Sequence, residues 1–166
     1  MSDGDSCRLK YFEGEPEVLA EVRQMWDEIF DDPEEFADYY FTEICKQNKI
    51  LLAYKGDVLA GMIHLNPYEM QVEGKKELCY YIVGVAVKPE YREQGIMHKM
   101  MQRVLADMKK DGRAFAFLMP EREEYYESLG FEKVFHTNWI LILQSWRTRM
   151  SCRMIFPVRK DIIRRI

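Results

Sequence analysis

Residues Tyr80 to Met101 read YYIVGVAVKPEYREQGIMHKMM. The apolar run Tyr80–Val87 predicts a buried strand, with Val83, Val85 and Val87 on one face. Lys88-Pro89-Glu90 ends it, because proline brings no N–H to a sheet ladder. Arg92 and Gly95 follow, and then Ile96, Met97, Met100, Met101, Val104, Leu105 and Met108 recur along one helical stripe. The junction is therefore a strand, a short turn carrying a cation and a glycine, and a helix N-terminus. Unpaired backbone N–H groups and the positive end of a helix dipole suit such a place to a phosphate.

The spacing Val87-x-Pro89-x-x-Arg92-x-x-Gly95-x-Met97 resembles the acyl-CoA signature of the GNAT superfamily of N-acetyltransferases, Val-x-Pro-x-x-(Gln/Arg)-x-x-Gly-x-(Gly/Ala). Four of its five marked positions match, and Met97 stands where a small residue is usual. Further on, Tyr126-Glu127-Ser128-Leu129-Gly130-Phe131 resembles the last motif of that family, Phe-Tyr-x-x-x-Gly-Phe, with Tyr125 in place of the phenylalanine. The resemblance implies an α/β (α+β) fold. Its mixed, mostly antiparallel central sheet would carry helices on both faces and a parallel, splayed strand pair at the acyl-CoA site. Residues 1–144 would form that domain. Residues 145–166 would be a basic tail, part of the same domain or the start of a missing element.

Other stretches agree with this order. Cys7–Phe12 predicts a first strand, and Pro16 suits the first turn of a helix carrying Val18, Leu19, Val22, Met25, Trp26, Ile29 and Phe30. Asp32 is the expected N-cap of a second helix whose apolar face is Phe36, Tyr39, Tyr40 and Ile44. Ile50–Tyr54 and Val58–Leu65 predict strands joined by a tight Gly56-Asp57 hairpin. Asn66-Pro67 reads as an interruption before Tyr68–Val72, and a strand from about Glu77 leads into the opening stretch. The early strands thus form an antiparallel meander, unlike the strand–helix alternation of a doubly wound nucleotide-binding fold. Asp111-Gly112 ends the motif helix, and Ala114–Met119 predicts a strand parallel to the motif strand, since a helix joins them. A short helix over Glu121–Leu129 and strands at Phe131–Phe135 and Asn138–Leu143 complete the pattern.

The 166 residues suffice for one domain with a substantial core, and no apolar run approaches the ~20 residues of a membrane helix. MSDGDSC at the start has no signal-peptide layout. The four cysteines, Cys7, Cys45, Cys79 and Cys152, stand far apart without metal-ligand spacing, so no metal and a reduced, cytoplasmic setting are expected. The net charge of −4 is uneven. Seven basic residues and one acid fall between Ser145 and Ile166, which leaves 17 of the 24 basic and 27 of the 28 acidic residues in the first 144. So acidic a body disfavours nucleic acid and suits a cationic amine.

The resemblance implies an acetyl-CoA-dependent transfer to a primary amine of a small molecule or peptide, with a homodimer possible. Val85 and Val87 would hold the acyl–pantetheine arm with main-chain groups, as an added strand is held. Backbone amides near Gln94, Gly95, Ile96, Met97 and His98 would cradle the pyrophosphate, with Arg92 supplying charge nearby. The bulky Met97 is also similar to the subgroup that contains the intracellular-survival type of aminoglycoside acetyltransferase. Tyr126 would protonate the departing thiolate, since a phenol is still protonated at neutral pH. Tyr125 is the fallback, and Tyr39 or Tyr40 could touch the acceptor. For a general base the residues leave Glu77, Cys79, Tyr81 and His64 open. The alternative of another class is a non-catalytic acyl-CoA sensor or interaction module, which would bind acetyl-CoA without turning it over.

Overall fold

The computed structural model describes residues 7–72, 74–133 and 142–145. Its elements are β1 (Cys7–Tyr11), α1 (Pro16–Ile29), α2 (Glu34–Tyr39), β2 (Lys49–Lys55), β3 (Val58–Val72), β4 (Lys75–Val87), α3 (Ile96–Lys110), β5 (Phe115–Leu118), α4 (Glu124–Glu127), β6 (Glu132–Lys133) and β7 (Ile142–Ser145). The strands lie in the order β1-β2-β3-β4-β5-β7-β6. The β4–β5 pair is parallel and the other described pairs are antiparallel. This is the mixed sheet expected, with helices on both faces.

On one face α3 lays down Ile96, Met100, Met101, Val104, Leu105 and Met108 against Leu51, Ile63, Leu65, Tyr80 and Ile82. Methionines suit this contact because an unbranched thioether fills irregular gaps. On the other face α1 and α2 bring Val22, Met25, Trp26, Ala37, Tyr40 and Phe41 onto Ile50, Leu52, Met62 and Ala86. Pro16 sits in the first turn of α1, as its fixed φ and missing N–H favour. Gly56-Asp57 makes the two-residue hairpin, with Lys55 opposite Val58. Gly112 (φ +68) follows the end of α3.

Four expectations are corrected. β3 runs unbroken through Asn66-Pro67, Pro67 pairing with Tyr80 and Tyr68 with Cys79. β2 stops pairing at Lys49–Leu65, so among the described residues β3 has a neighbour on one side only from there on, and a proline is tolerated. Asp32 does not cap α2; its carboxylate accepts the Trp26 indole N–H at 3.0 Å, and Pro33 takes the N-cap position. The buried face of α2 and its continuation is Ala37, Tyr40, Phe41 and Cys45, while Tyr39 and Ile44 are exposed. A π-helical turn over Tyr40–Ile44 adds a residue to the turn, which brings Cys45 rather than Ile44 round to the sheet. The helix expected over Glu121–Leu129 is only the single turn Glu124–Glu127.

Cys7, Cys45 and Cys79 are free thiols, and Cys152 lies outside the described residues. So do the tail after Ser145 and residues 134–141 of the last strand pair. Among the described residues no helix is long and apolar enough to cross a membrane, and none forms a metal-binding group.

Candidate active site

The site begins where β4 and β5 part. Their pairing covers Tyr80–Ala116, Tyr81–Phe117 and Ile82–Leu118 and then stops. β4 continues to Val87 with no described strand beside it on that side. Its departure coincides with a bulge: Met62 pairs with Ala86 and His64 with Val83, so Gly84 and Val85 together stand opposite Ile63. Gly84 has φ +59, a conformation that only glycine adopts cheaply.

The extra residue also resets the alternation of side chains. Ile82 packs on the α3 side, Val83 on the α1–α2 side, Val85 and Val87 on the α3 side again, and Ala86 opposite them. Val83, Val85 and Val87 therefore do not share a face as simple alternation predicts. An isolated glycine inside a valine strand is the signal that could have located the bulge.

Gly84 has almost no space above it on the α1–α2 side. A Cβ there would lie 2.5 Å from Trp26 Cζ3 and 3.0 Å from His64 Cδ2. Trp26 stacks on Tyr40 with centroids 4.8 Å apart and meets His64 edge-on at 5.3 Å. His64 is fully buried; its Nδ1 lies 3.1 Å from Tyr40 Oη, and its Nε2 has no hydrogen-bond partner among the described residues. Burial pushes its pKa down to about 3. Tyr40 is 4% exposed and Tyr39 48%, so of these two only Tyr39 presents its ring to solvent.

At the far end of β4 the chain turns through Lys88–Gly95. Arg92 Nε donates to the Val87 carbonyl at 3.1 Å, which ties the turn to the strand end and engages that carbonyl. Gln94 Nε2 reaches the Glu90 carbonyl at 3.4 Å. Glu93 (φ +61) and Gly95 (φ +72) are both left-handed. Strain at a non-glycine residue of this kind persists where surrounding structure imposes it, and nothing in the sequence marks Glu93. Unlike Gly84, Gly95 has nothing within 4 Å of where a Cβ would be.

The first intrahelical bond of α3 runs from the Lys99 N–H to the Gly95 carbonyl at 3.0 Å. The N–H groups of Ile96, Met97 and His98 precede it, and the first turn holds no acid. Met97 packs against the α3-side core, which turns its bulk away from these amides. Arg92, Gln94 and His98 are exposed and Ile96 is buried.

Tyr126 follows β5 on α4 and is buried in the α3-side cluster, against which Val85 and Val87 also pack. Its ring meets Phe131 edge-on at 5.8 Å. Burial, reinforced by the negative charge of Glu121 and by Tyr125, pushes its pKa up to about 12. Tyr125 points outward, with the Arg122 guanidinium 6.0 Å above its ring.

The base candidates separate. Glu77 lies seven residues before Gly84, roughly 23 Å along a strand rising 3.3 Å per residue. Cys79 is buried, its thiol donating to the Tyr68 carbonyl at 3.6 Å, and burial raises its pKa to about 12. Tyr81 stacks on Phe117 at 5.1 Å and is likewise raised to about 12 by burial. Of the three on β4, Tyr81 stands nearest the point where the strands part, while His64 on β3 lies against Gly84 on the α1–α2 side.

The depressed pKa of His64 has a measurable consequence. Between pH 6.5 and about 3 the unfolded chain carries a proton on this residue that the folded chain excludes. Stability therefore falls as pH drops through that window, by up to about 1.4 kcal/mol per pH unit. Urea melts of wild type and His64→Leu at pH 7.5 and about 5 check this. The wild type loses roughly 2 kcal/mol more than the variant over that interval.

A parallel strand pair that opens at a bulge just before a glycine turn and a helix start is the arrangement that the GNAT resemblance implies. Comparison with known proteins agrees: the family described as acetyltransferase (GNAT) domain matches residues 13–134. The chain belongs to the GNAT acetyltransferase family. Among solved structures, a probable N-acyltransferase from Enterococcus faecalis is similar with a TM-score of 0.72 and 23% identity, over 78% of this chain and 33% of that one. A GNAT family acetyltransferase from Brucella melitensis, crystallised with acetyl-CoA, has a TM-score of 0.65 and 18% identity over 87% and 92% of the two chains. Eis1 from Mycobacterium abscessus has a TM-score of 0.65 and 17% identity over 78% and 32%. At such identities the likeness is one of fold. The chain spans about a third of the length of the first and last of these proteins. No curated protein sequence matches it.

Proposed function

We propose that this domain is an acetyl-CoA-dependent N-acetyltransferase that acetylates a primary amine of a small molecule or peptide by direct attack. The observation that carries the reading is the opening of β4 from β5 at Gly84, in line with the turn that leads to the α3 N-terminus. The cofactor fits the residues present: the space over Gly95 is open, the first turn of α3 holds no acid, and Met97 is turned aside. Acetyl-CoA supplies an acyl group activated as a thioester.

In this reading the free side of Val83–Val87 holds the pantetheine arm by main-chain groups, as an edge strand accepts a new strand. Amides from Gln94 to His98 take the pyrophosphate, with Arg92 fixing the strand end and adding charge. Tyr126, a phenol protonated at neutral pH, gives its proton to the leaving sulfur. Trp26 and the rings around it wall the opposite side of the bulge, so water is excluded there. The acidic body favours cationic acceptors. The free thiols of Cys7, Cys45 and Cys79 suit a reduced, cytoplasmic setting.

One observation favours the sensor reading: burial holds the Cys79 and Tyr81 groups protonated at neutral pH, unsuited to taking the amine proton. Turnover separates the two. An amine screen over polyamines, aminoglycosides, amino acids and peptides releases free CoA from an enzyme and none from a sensor.

Cofactor binding is tested at Gly95. Acetyl-CoA at ~100 times its dissociation constant stabilises the wild type by about 2.7 kcal/mol. Gly95→Asp places a carboxylate where a pyrophosphate would lie and abolishes that gain. The unliganded variant loses only the left-handed cost of about 1–2 kcal/mol, since a side chain there meets open space. A thermal shift that persists in Gly95→Asp places the cofactor elsewhere.

A further inference from the structure

The buried polar cluster beneath Gly84 is a costly feature that the proposed chemistry does not use. Tyr40 Oη lies 3.1 Å from Asn66 Oδ1, 3.1 Å from His64 Nδ1 and 3.0 Å from Asn48 Nδ2. A phenol has one hydrogen and two lone pairs. Its hydrogen goes to the Asn66 carbonyl oxygen and Asn48 donates to it, so the third contact is satisfied when His64 donates from Nδ1. The opposite tautomer would bury an N–H at Nε2 with no acceptor, the rarer and costlier defect. The Cys45 sulfur, 3.9 Å from the same nitrogen, is a weak acceptor for that N–H, so the contacts together favour this tautomer and set the plane of the imidazole.

That plane has a use. The Cδ2–Nε2 edge of the ring abuts Gly84, and Trp26, tied at its own end to Asp32, abuts the same glycine. Two ring edges, each held by a hydrogen bond, thus define where the Gly84 backbone can be. An apolar cluster of the same volume would bury the space equally well, but would leave the rings free to shift. A fully satisfied polar network specifies one arrangement.

We infer that His64 is a positioning residue: in its Nδ1–H tautomer, held by Tyr40 and Asn66, it works with Trp26 to hold Gly84 in the left-handed bulge that parts β4 from β5. The end of α2 thereby sets the geometry of the acyl slot from behind. This inference rests on the proposed use of the slot for acetyl transfer.

The test reads the bulge directly and then the chemistry. In the wild type, the imidazole ¹⁵N resonances of His64 report a protonated Nδ1; a protonated Nε2 overturns the inference whatever the variants do. Tyr40→Phe keeps the aromatic stack and removes the hydroxyl. His64→Asn keeps a donor near the Nδ1 position but withdraws the ring edge from Gly84. In each, the Gly84 amide and Hα resonances, which sit in the ring-current field of Trp26, move. With acetyl-CoA and the acceptor saturating, kcat falls roughly 10- to 100-fold, the scale of a misplacement of about an ångström. Val58→Ala, exposed at the β2–β3 hairpin and outside the site, changes neither.

A purely structural cluster gives another result: a lower melting temperature with Gly84 resonances and kcat of the folded protein unchanged, which overturns the inference. Should one variant fail to fold, the other and the wild-type spectrum decide. Should the wild type show no acetyl transfer, the functional reading fails, while the Gly84 resonances still decide the positioning role.

Discussion

Tyr126→Phe slows acetyl transfer by about 10²–10⁴-fold, the usual loss for a positioned proton donor. That corresponds to roughly 3–5 kcal/mol of barrier. The ring remains to pack on Phe131 and in the α3-side cluster, so the fold and the affinity for acetyl-CoA stay nearly constant. A phenol is protonated at neutral pH with or without burial. The pKa of Tyr126, pushed up to about 12, makes it a weaker acid, so the expected gain comes from where the hydroxyl is held. A tyrosine serving only as packing behaves in the opposite way. Loss of its hydroxyl would then cost on the order of 1 kcal/mol of stability and leave turnover of the folded protein unchanged. Tyr125→Phe is the control, on the same turn but half exposed, 51%. Single-turnover CoA release at saturating amine makes the comparison, because product release then cannot hide the chemical step. An unimpaired Tyr126→Phe removes the assignment, and equal losses in both variants indicate a disturbed α4.

Gly84→Ala destabilises the protein by about 2–5 kcal/mol. The left-handed backbone contributes about 1–2 of this and overpacking against the rings about 1–3. The methyl group would lie 2.5 Å from Trp26, far inside contact distance, so either the indole or the bulge has to move. If the bulge moves, the slot closes and acetyl-CoA binding weakens along with stability. Gly95→Ala is the matched comparison. It has the same sign of φ but open space around it, so it carries the backbone cost alone, about 1–2 kcal/mol. Urea melts of the two variants, with and without acetyl-CoA, separate conformational strain from obstruction. Equal losses would show that the rings yield freely and do not hold the bulge.

Much of this molecule is legible in its residues. The helical stripe from Ile96 to Met108 and the Pro16 and Gly112 boundaries follow from local chemistry and appear where expected. The turn Pro89–Gly95 is legible because a phosphate-receptive helix start needs few residues and they are adjacent in sequence. Three features were hidden for a common reason: each depends on a neighbour that the local pattern cannot display. Pro67 looks like a break until β2 is seen to stop short of it. The π turn at Tyr40–Ile44 shifts the buried face by one residue, which no periodicity argument based on 3.6 residues anticipates. The polar platform joins Trp26, Tyr40 and His64 from three separate segments, so His64 looks like a candidate base until its burial is known. Gly84 is the instructive case, since its signal was present in the strand and its meaning required the register.

The outer strand of the sheet bears on how copies of this molecule can meet. β1 pairs with β2 on one side and, among the described residues, with nothing on the other. Its sequence alternates, Leu9 turning toward the core while Arg8 and Lys10 lie on the opposite face. Two such edges brought together antiparallel about Leu9 would set Arg8 of each against Lys10 of the other. Directly opposed side chains stand about 5 Å apart, and like charges there are destabilising. Lys10 is already paired with Glu15 at 2.7 Å and Glu13 at 3.3 Å, which offsets part of that repulsion, and a new strand there would disturb these ion pairs. Charge of this kind is a common guard against runaway sheet growth. The charged side chains of this rim make it a poor template for a further strand.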